Sequence, residues 1–310
     1  MNTMRKFKNI VALFLVALVL SSCSLPGLGG DAGKDAITVT GGVTTETQIL
    51  AGIVKGMVEH YTDQPVQVIN NLGSTTINHQ AMINGDANIS AARYTGTDLT
   101  STLQMTAEKD PKKAMDIVVK EFEERYKQKY YPSYGFANTY AFMVTKETAE
   151  KYQLKKISDF KKVADQLNAG VDSSWLEKEG DGYRAFKEDY GFDFKRVYPM
   201  QIGLVYDALA AGKMDAVLGY STDGRIASYD LVVLEDDLKF FPPYDASPVA
   251  TDAILKAYPK LNGILKKLEG KIDTKTMQQL NYKADNDLIE PEVVAQDFLK
   301  EHDYFSKGDN

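Results

Sequence analysis

Ile89–Asp98 reads ISAARYTGTD, and the fold turns on how this stretch is understood. Apolar and small residues from Ile89 to Ala92 suit a strand covered on both faces, and Gly96 marks the exit into a loop. In open α/β sheets ligands lie beyond the carboxyl ends of strands, which puts Tyr94 and Thr97 where a ligand would be met. Taken alone, the segment reads more simply as an ordinary strand end. Downstream, Gly212–Gly224 echoes it as GKMDAVLGYSTDG. Both segments place Gly before Asp-Ala, then apolar residues, then Tyr, Thr and Asp; Asp86-Ala87 leads to Tyr94, and Asp215-Ala216 leads to Tyr220. A glycine followed by Asp-Ala is also a common way of ending a helix. The echo is therefore a hint of two similar lobes whose tyrosines face one cleft.

Working outward, the chain alternates strand and helix. ITVTG opens the first lobe and precedes a helix with apolar positions Ile49, Leu50, Ile53, Val54, Met57 and Val58. Thr45 and Gln48 have capping-box spacing at its start. PVQVIN reads as a second strand, and NLGSTTINHQAMI turns into a helix with Ser74, Thr75 or Thr76 as N-cap. Free N–H groups at that helix start are placed to receive a carboxylate. Pro111 to Tyr130 is expected to be one charged amphipathic helix, with FANTYAFMVT the next strand. The pattern then restarts with ISDFKKVADQL, a helix capped by Ser158, and continues through QIGLVYDALAAG and DAVLGYS. FFPPYDASPV favours an extended crossing, and the tail from Thr251 is helical. Alternation of this kind predicts an α/β fold with mostly parallel sheets. If the helical tail returns to the first lobe, the crossings near Tyr140–Thr145 and Phe241–Val249 form a hinge, and the cleft between lobes closes on a solute.

The N-terminus addresses location. Arg5, Lys6 and Lys8 precede an apolar run from Ile10 to Leu20, a signal peptide over residues 1–22 that is too short for a confident membrane span. Leu20-Ser21-Ser22-Cys23 resembles a bacterial lipobox, which implies cleavage before Cys23 and lipidation of it. Cys23 is the single cysteine, so disulfides are excluded. Residues 23–35 are small and Gly-rich, as suits a tether, and the folded part is expected from Ala36. The formal charge is −7 and becomes about −10 once the three leader cations are gone. An acidic mature chain argues against nucleic acid and mildly favours a cationic ligand.

Much enzyme chemistry is missing. There is no G-x-x-x-x-G-K-[ST] loop, GGVTTE is not the dinucleotide fingerprint, and no G-x-S-x-G elbow occurs. His60, His79 and His302 have no metal-ligand spacing. Neither a metal nor a cofactor is expected, and an enzyme is disfavoured, although a hydrolase built on carboxylates stays open. What stands out is 18 tyrosines against one tryptophan. Most belong to core or surface, but Tyr94 and Tyr220 end strands in opposite lobes, while Tyr140 and Tyr244 lie on the crossings. A box of aromatic faces suits a quaternary ammonium, which carries permanent charge and has no N–H to donate.

At these residues the sequence resembles the substrate-binding lipoproteins of osmoprotectant ABC importers, the glycine betaine, carnitine and choline binders. ARYTGTD, NTYAFMVT, DAVLGYSTDG and FFPPYDASP, with the lipobox, match that family in order and spacing from Ala36 to the C-terminal helices. The resemblance implies a type II periplasmic-binding-protein fold: two α/β lobes joined by a two-crossing hinge, with lobe 1 over residues 36–139 and 244–310 and lobe 2 over 140–243. It implies a monomer anchored through Cys23 on the extracytoplasmic face of the membrane, serving a permease with its cytoplasmic ATPase. It also implies a cage of Tyr94, Tyr140, Tyr220 and Tyr244 around a trimethylammonium head. Thr97 matches the position that meets the other end of the ligand, where Asp accompanies choline-restricted binders and Thr a broader range. Gln48 resembles a glutamine that holds the ligand carboxylate, but TTETQ departs from the family wording, and helix capping competes. The same fold binding an amino acid remains an alternative, with Arg93 and Asp98 or Asp223 as its charged groups.

Overall fold

In the computed structural model, which describes residues 36–177 and 182–305, the strands fall into two five-stranded sheets. Those of the first half are β1 (Ile37–Thr40), β2 (Val66–Ile69), β3 (Ile89–Tyr94), β4 (Gln128–Tyr130) and β5 (Tyr140–Val144). The second half adds β6 (Asn168–Asp172), β7 (Arg196–Met200), β8 (Ala216–Tyr220), β9 (Val232–Val233) and β10 (Ala246–Thr251). One sheet runs β2-β1-β3-β10-β4 and the other β7-β6-β8-β5-β9. In the first, β1 is parallel to β2 and β3, whereas β10 is antiparallel to both β3 and β4. The second repeats this, with β6 parallel to β7 and β8, and β5 antiparallel to β8 and β9. Each sheet is therefore mixed rather than mostly parallel: four strands share a direction, and one reversed strand is contributed by a chain arriving from the other sheet. The sequence echo falls on β3 and β8, which hold the same place in the two orders.

Helices cover the sheets where their apolar stripes dictate. Helix α1 (Thr45–Thr62) buries Ile49, Leu50, Ile53, Val54, Met57 and Val58 as its spacing predicts. Its N-cap is Thr44, whose hydroxyl accepts from the Thr47 N–H at 3.4 Å, so the Thr45/Gln48 capping box is not used. Helix α2 (Thr75–Asn84) is capped by Ser74, whose hydroxyl accepts from the Ile77 N–H at 3.2 Å. Helix α3 (Pro111–Tyr126) ends four residues before the expected Tyr130, at a left-handed Lys127. The backbone groups of Gln128–Tyr130 are drawn instead into the ladder beside β10. Ile157–Lys162 forms a 3₁₀ turn rather than a Ser158-capped α-helix, because the Asp159 carboxylate accepts from the Lys155 and Lys156 N–H groups.

The helical tail joins the core of the first sheet. Val294, Ala295, Phe298 and Leu299 of helix α4 (Pro291–Glu301) share a buried cluster with the apolar face of α1. Two glycines let the helices close up: a Cβ on Gly52 would stand 2.8 Å from the Ala295 Cβ, and one on Gly56 2.6 Å from Leu299 Cδ1. Burying Phe298 and Leu299 is worth about 1.5–3 kcal/mol each. The second sheet is backed by an aromatic core that includes Phe142, Phe160, Trp175, Phe186 and Phe240.

The chain passes between sheets through residues 131–139 and 234–245. Sequence placed the crossings slightly later, at Tyr140–Thr145 and Phe241–Val249, but the apolar residues of YAFMV and ASPVAT are taken into β5 and β10. The two crossings are tied to each other: Ala137 bridges Asp245, the Asn138 N–H donates to Tyr244 O at 3.1 Å, and the Ala246 N–H to Phe136 O at 3.1 Å. Among the described residues no helix is long and apolar enough to cross a membrane. The expected signal peptide, Cys23 and the expected tether lie outside the described residues.

Candidate functional site

Sheet register brings the tyrosines together in pairs. Tyr140 opens β5 directly opposite Tyr220, the last residue of β8. In the other sheet Ala246 lies opposite Tyr94, the last residue of β3, and Tyr244 precedes Ala246 by two residues. All four tyrosines line one cavity of about 360 Å³, together with Thr97 and with Ser74 and Thr75 at the start of α2. The Tyr140 and Tyr220 rings lie 5.2 Å apart and inclined by 41°, and Tyr140 also leans on Trp175 and Phe241.

Tyr94 and Tyr140 are held at their hydroxyls, and the segments that carry Tyr220 and Tyr244 are held through their backbone. The Tyr206 hydroxyl donates to Tyr220 O at 3.1 Å and accepts the Tyr220 N–H at 2.6 Å, fixing the end of β8. Gly219 makes room for this contact, since a Cβ there would stand 2.7 Å from the Tyr206 ring. The Thr95 hydroxyl donates to Pro243 O at 3.0 Å and accepts the Asp245 N–H at 3.2 Å, stitching the turn after β3 to the crossing that carries Tyr244. Tyr94 donates its hydroxyl to Glu46 Oε1 at 2.6 Å, and Tyr140 donates to Asp172 Oδ2 at 3.0 Å. Burial, reinforced by Glu46, pushes the Tyr94 phenol well above its ordinary range. Burial and then the neighbouring Tyr220 and Asp172 do the same to Tyr140. These phenols stay neutral donors at physiological pH and offer faces rather than bases.

Other sequence candidates lie elsewhere. Gln48 is not among the residues lining the cavity; its amide donates to Asn71 Oδ1 at 3.3 Å and to Gly42 O at 3.5 Å, bracing the loop that carries Gly42 to the cavity wall. Arg93 and Asp98 pair with each other inside the first lobe, and Tyr130 and Thr102 also donate to Asp98. Asp223 is gripped by Arg225 through Nε and Nη2, at 2.9 and 2.8 Å. The charged groups considered for an amino-acid ligand, Arg93, Asp98 and Asp223, are thus all engaged in ion pairs. No cluster of three or more His, Cys, Asp or Glu fit to hold a metal occurs among the described residues.

Three contributors escaped the sequence reading. Glu46 gave the appearance of an acid favoured by the helix dipole in a first turn, yet it is buried behind Tyr94. Asp172 is the N-cap of the short helix Ser173–Leu176 as well as the partner of Tyr140. Asn138 lines the cavity and donates to Glu46 at 2.9 Å; its position two residues before Tyr140 was the available signal.

Comparison with known proteins agrees with this architecture. Residues 35–301 match the model of the family described as the substrate binding domain of the ABC-type glycine betaine transport system. The chain is 56% identical over 303 residues to the carnitine transport binding protein OpuCC of Listeria monocytogenes, covering 96% of this chain and 98% of that protein. It is 31% identical over 304 residues to a glycine-betaine-binding protein of Pseudomonas aeruginosa, covering 95% and 96%. A crystal structure of a glycine betaine/carnitine/choline ABC transporter protein superposes with a TM-score of 0.85 at 55% identity, over 87% of this chain and 100% of the other.

Proposed function

This chain belongs to the family of substrate-binding domains of ABC-type glycine betaine transport systems, and on that premise we propose that it captures quaternary ammonium compatible solutes such as glycine betaine, carnitine and choline in a tyrosine cage. The observation that carries this reading is the convergence of Tyr94, Tyr140, Tyr220 and Tyr244, drawn from two sheets, on one cavity. Each face contributes roughly 0.5–2 kcal/mol toward a trimethylammonium head, more once water is expelled. Hydroxyls of Thr97 and Ser74, with the N-terminus of α2, meet the carboxylate end. Gln48 supports this end at one remove, through Gly42.

Lobe 1, residues 36–139 and 244–310, and lobe 2, residues 140–243, close on the solute by bending at the paired crossings. The protein acts as a monomer. Cleavage ahead of Cys23 and lipidation of that residue anchor it on the extracytoplasmic face of the membrane, where it hands solute to a permease driven by a cytoplasmic ATPase.

Calorimetric titration of the chain starting after Cys23 tests the reading against glycine betaine, carnitine, choline and glycine. Binding of the methylated compounds without glycine is expected. Tyr→Ala at any cage position should weaken binding far more than Tyr→Phe; equal losses, or no response to any methylated ligand, would sink the cage.

A further inference from the structure

The cage cavity is lined by phenols and neutral polar groups, yet two carboxylates stand directly behind it. Glu46 is 4% exposed and Asp172 5% exposed. Neither lines the cage cavity, although Glu46 lines an adjoining one of about 270 Å³ that shares Val43, Thr44, Asn138 and Tyr220 with it. Each accepts a hydrogen bond from the phenol of a cage tyrosine, Glu46 from Tyr94 in one lobe and Asp172 from Tyr140 in the other. Their remaining partners are neutral: Asn138 and Asn281 amides for Glu46, the Trp175 backbone N–H for Asp172. Among the described residues neither carboxylate enters an ion pair. Two other acids, close after the ends of β3 and β8, are by contrast paired with cations, Asp98 with Arg93 and Asp223 with Arg225.

A buried carboxylate without a cation is costly to keep, and the placement of these two explains what they are kept for. A phenol donating to an anion gains electron density, which deepens the negative potential of its face. The charge itself also acts on the cavity across the ring that donates to it. Resting on the proposed cage reading, we propose that Glu46 and Asp172 are specificity-determining residues that select a cationic head over a neutral one of the same shape. They act through Tyr94 and Tyr140 and supply the counter-charge of the ligand from the two opposing lobes. An ammonium resting on either ring lies roughly 7 Å from the carboxylate behind it, close enough for the charge to change affinity by roughly tenfold or more.

The experiment compares glycine betaine with its carbon isostere 3,3-dimethylbutanoate, in which a quaternary carbon replaces the quaternary nitrogen, the latter read by displacement at millimolar concentration. Wild type, Glu46→Gln and Asp172→Asn are titrated with both, and their thermal unfolding is recorded. Asp172→Asn retains an oxygen able to accept from both Tyr140 and Trp175, so it is the variant expected to keep the wild-type melting temperature. Each variant is expected to lose roughly tenfold or more of its affinity for glycine betaine while holding the isostere as well as wild type or better. Equal losses for both ligands would mean that the carboxylates merely hold the rings in place, and an unchanged affinity for glycine betaine would mean that their charge does not reach the site; either overturns the inference. If wild type itself ignores glycine betaine, carnitine and choline, it is the cage reading that fails.

Discussion

Gly96→Ala is the smallest change that tests how the cage is assembled. Gly96 lies in the turn between Tyr94 and Thr97 and faces the crossing that carries Tyr244. A Cβ there would stand 2.6 Å from Pro243 O and 3.2 and 3.3 Å from two edge carbons of the Tyr244 ring. Widening the first contact to an ordinary 3.4 Å needs a separation of about 0.8 Å. Neither wall yields freely, because Thr95 holds Pro243 O and Asp245 by side-chain bonds of 3.0 and 3.2 Å. Overpacking of this kind costs about 1–3 kcal/mol, which for a chain of this size lowers the melting temperature by roughly 2–10 °C. A ring displaced by that much forfeits about a quarter to a half of its contact energy. Applied to one aromatic face and to the neighbouring Thr97, this raises the dissociation constant by roughly three- to tenfold. The control is Gly85→Ala, at φ +82 with no atom within 4 Å of the new Cβ, which strains the backbone and lowers stability without touching the cavity. Thermal unfolding and calorimetry of both variants decide the matter. A Gly96→Ala protein with wild-type melting temperature and affinity would refute the close apposition of turn and crossing.

Thr97→Asp should weaken glycine betaine and carnitine by roughly thirtyfold, since a fixed carboxylate facing the ligand's own costs about 2 kcal/mol, while choline is retained; parallel titrations check it, and unchanged selectivity refutes it. Arg93→Met leaves the Asp98 carboxylate buried without its cation and should cost about 3–5 kcal/mol of stability, read by denaturant unfolding. His79 gives the pH dependence: burial first, and then Arg93, hold it down to about 4 from 6.5, and its Nδ1 finds no partner among the described residues. The unfolded chain binds a proton there that the folded chain refuses, so stability present above about pH 6.5 is lost as pH falls and is gone by about pH 4. Allowing for solvent at this partly exposed ring, the loss is about 1–2 kcal/mol, and His79→Gln should flatten unfolding midpoints between pH 7 and pH 4 by that amount.

What sequence reading captured followed from local periodicity. The strand ending at Tyr94 and its echo at Tyr220 declared themselves because fully buried strands need runs of small and apolar residues, and both prove to be the same strand of equivalent sheets. Sheet pairing is non-local, and there the reading slipped. Gln128–Tyr130 continues the polar pattern of α3, and only the presence of β10, more than a hundred residues away, turns it into an edge strand. The four tyrosines were found through their motifs, whereas Glu46 and Asp172 were hidden behind ordinary roles. An acid in the first turn of a helix and an aspartate at an N-cap need no further reason to exist. That they also accept from Tyr94 and Tyr140 is visible only once the chain is folded.

The fate of Arg93 and Tyr94 ties these threads together. Adjacent on β3, they must point to opposite faces, so a strand that shows Tyr94 to the cleft must turn Arg93 into the core, where it is 1% exposed. There it grips Asp98, only five residues on, and closes the turn that carries Thr97. The only acid and base within this motif thereby cancel each other and leave the cavity wall to aromatic faces, hydroxyls, amides and a few aliphatic side chains. On the far side of two of those faces the pattern reverses, and carboxylates stand without cations among the described residues. On the proposed reading, a site that retires its own positive charge while retaining negative charge one phenol away is suited to completion by a cation, and aromatic faces suit a head group with permanent charge and no proton to donate.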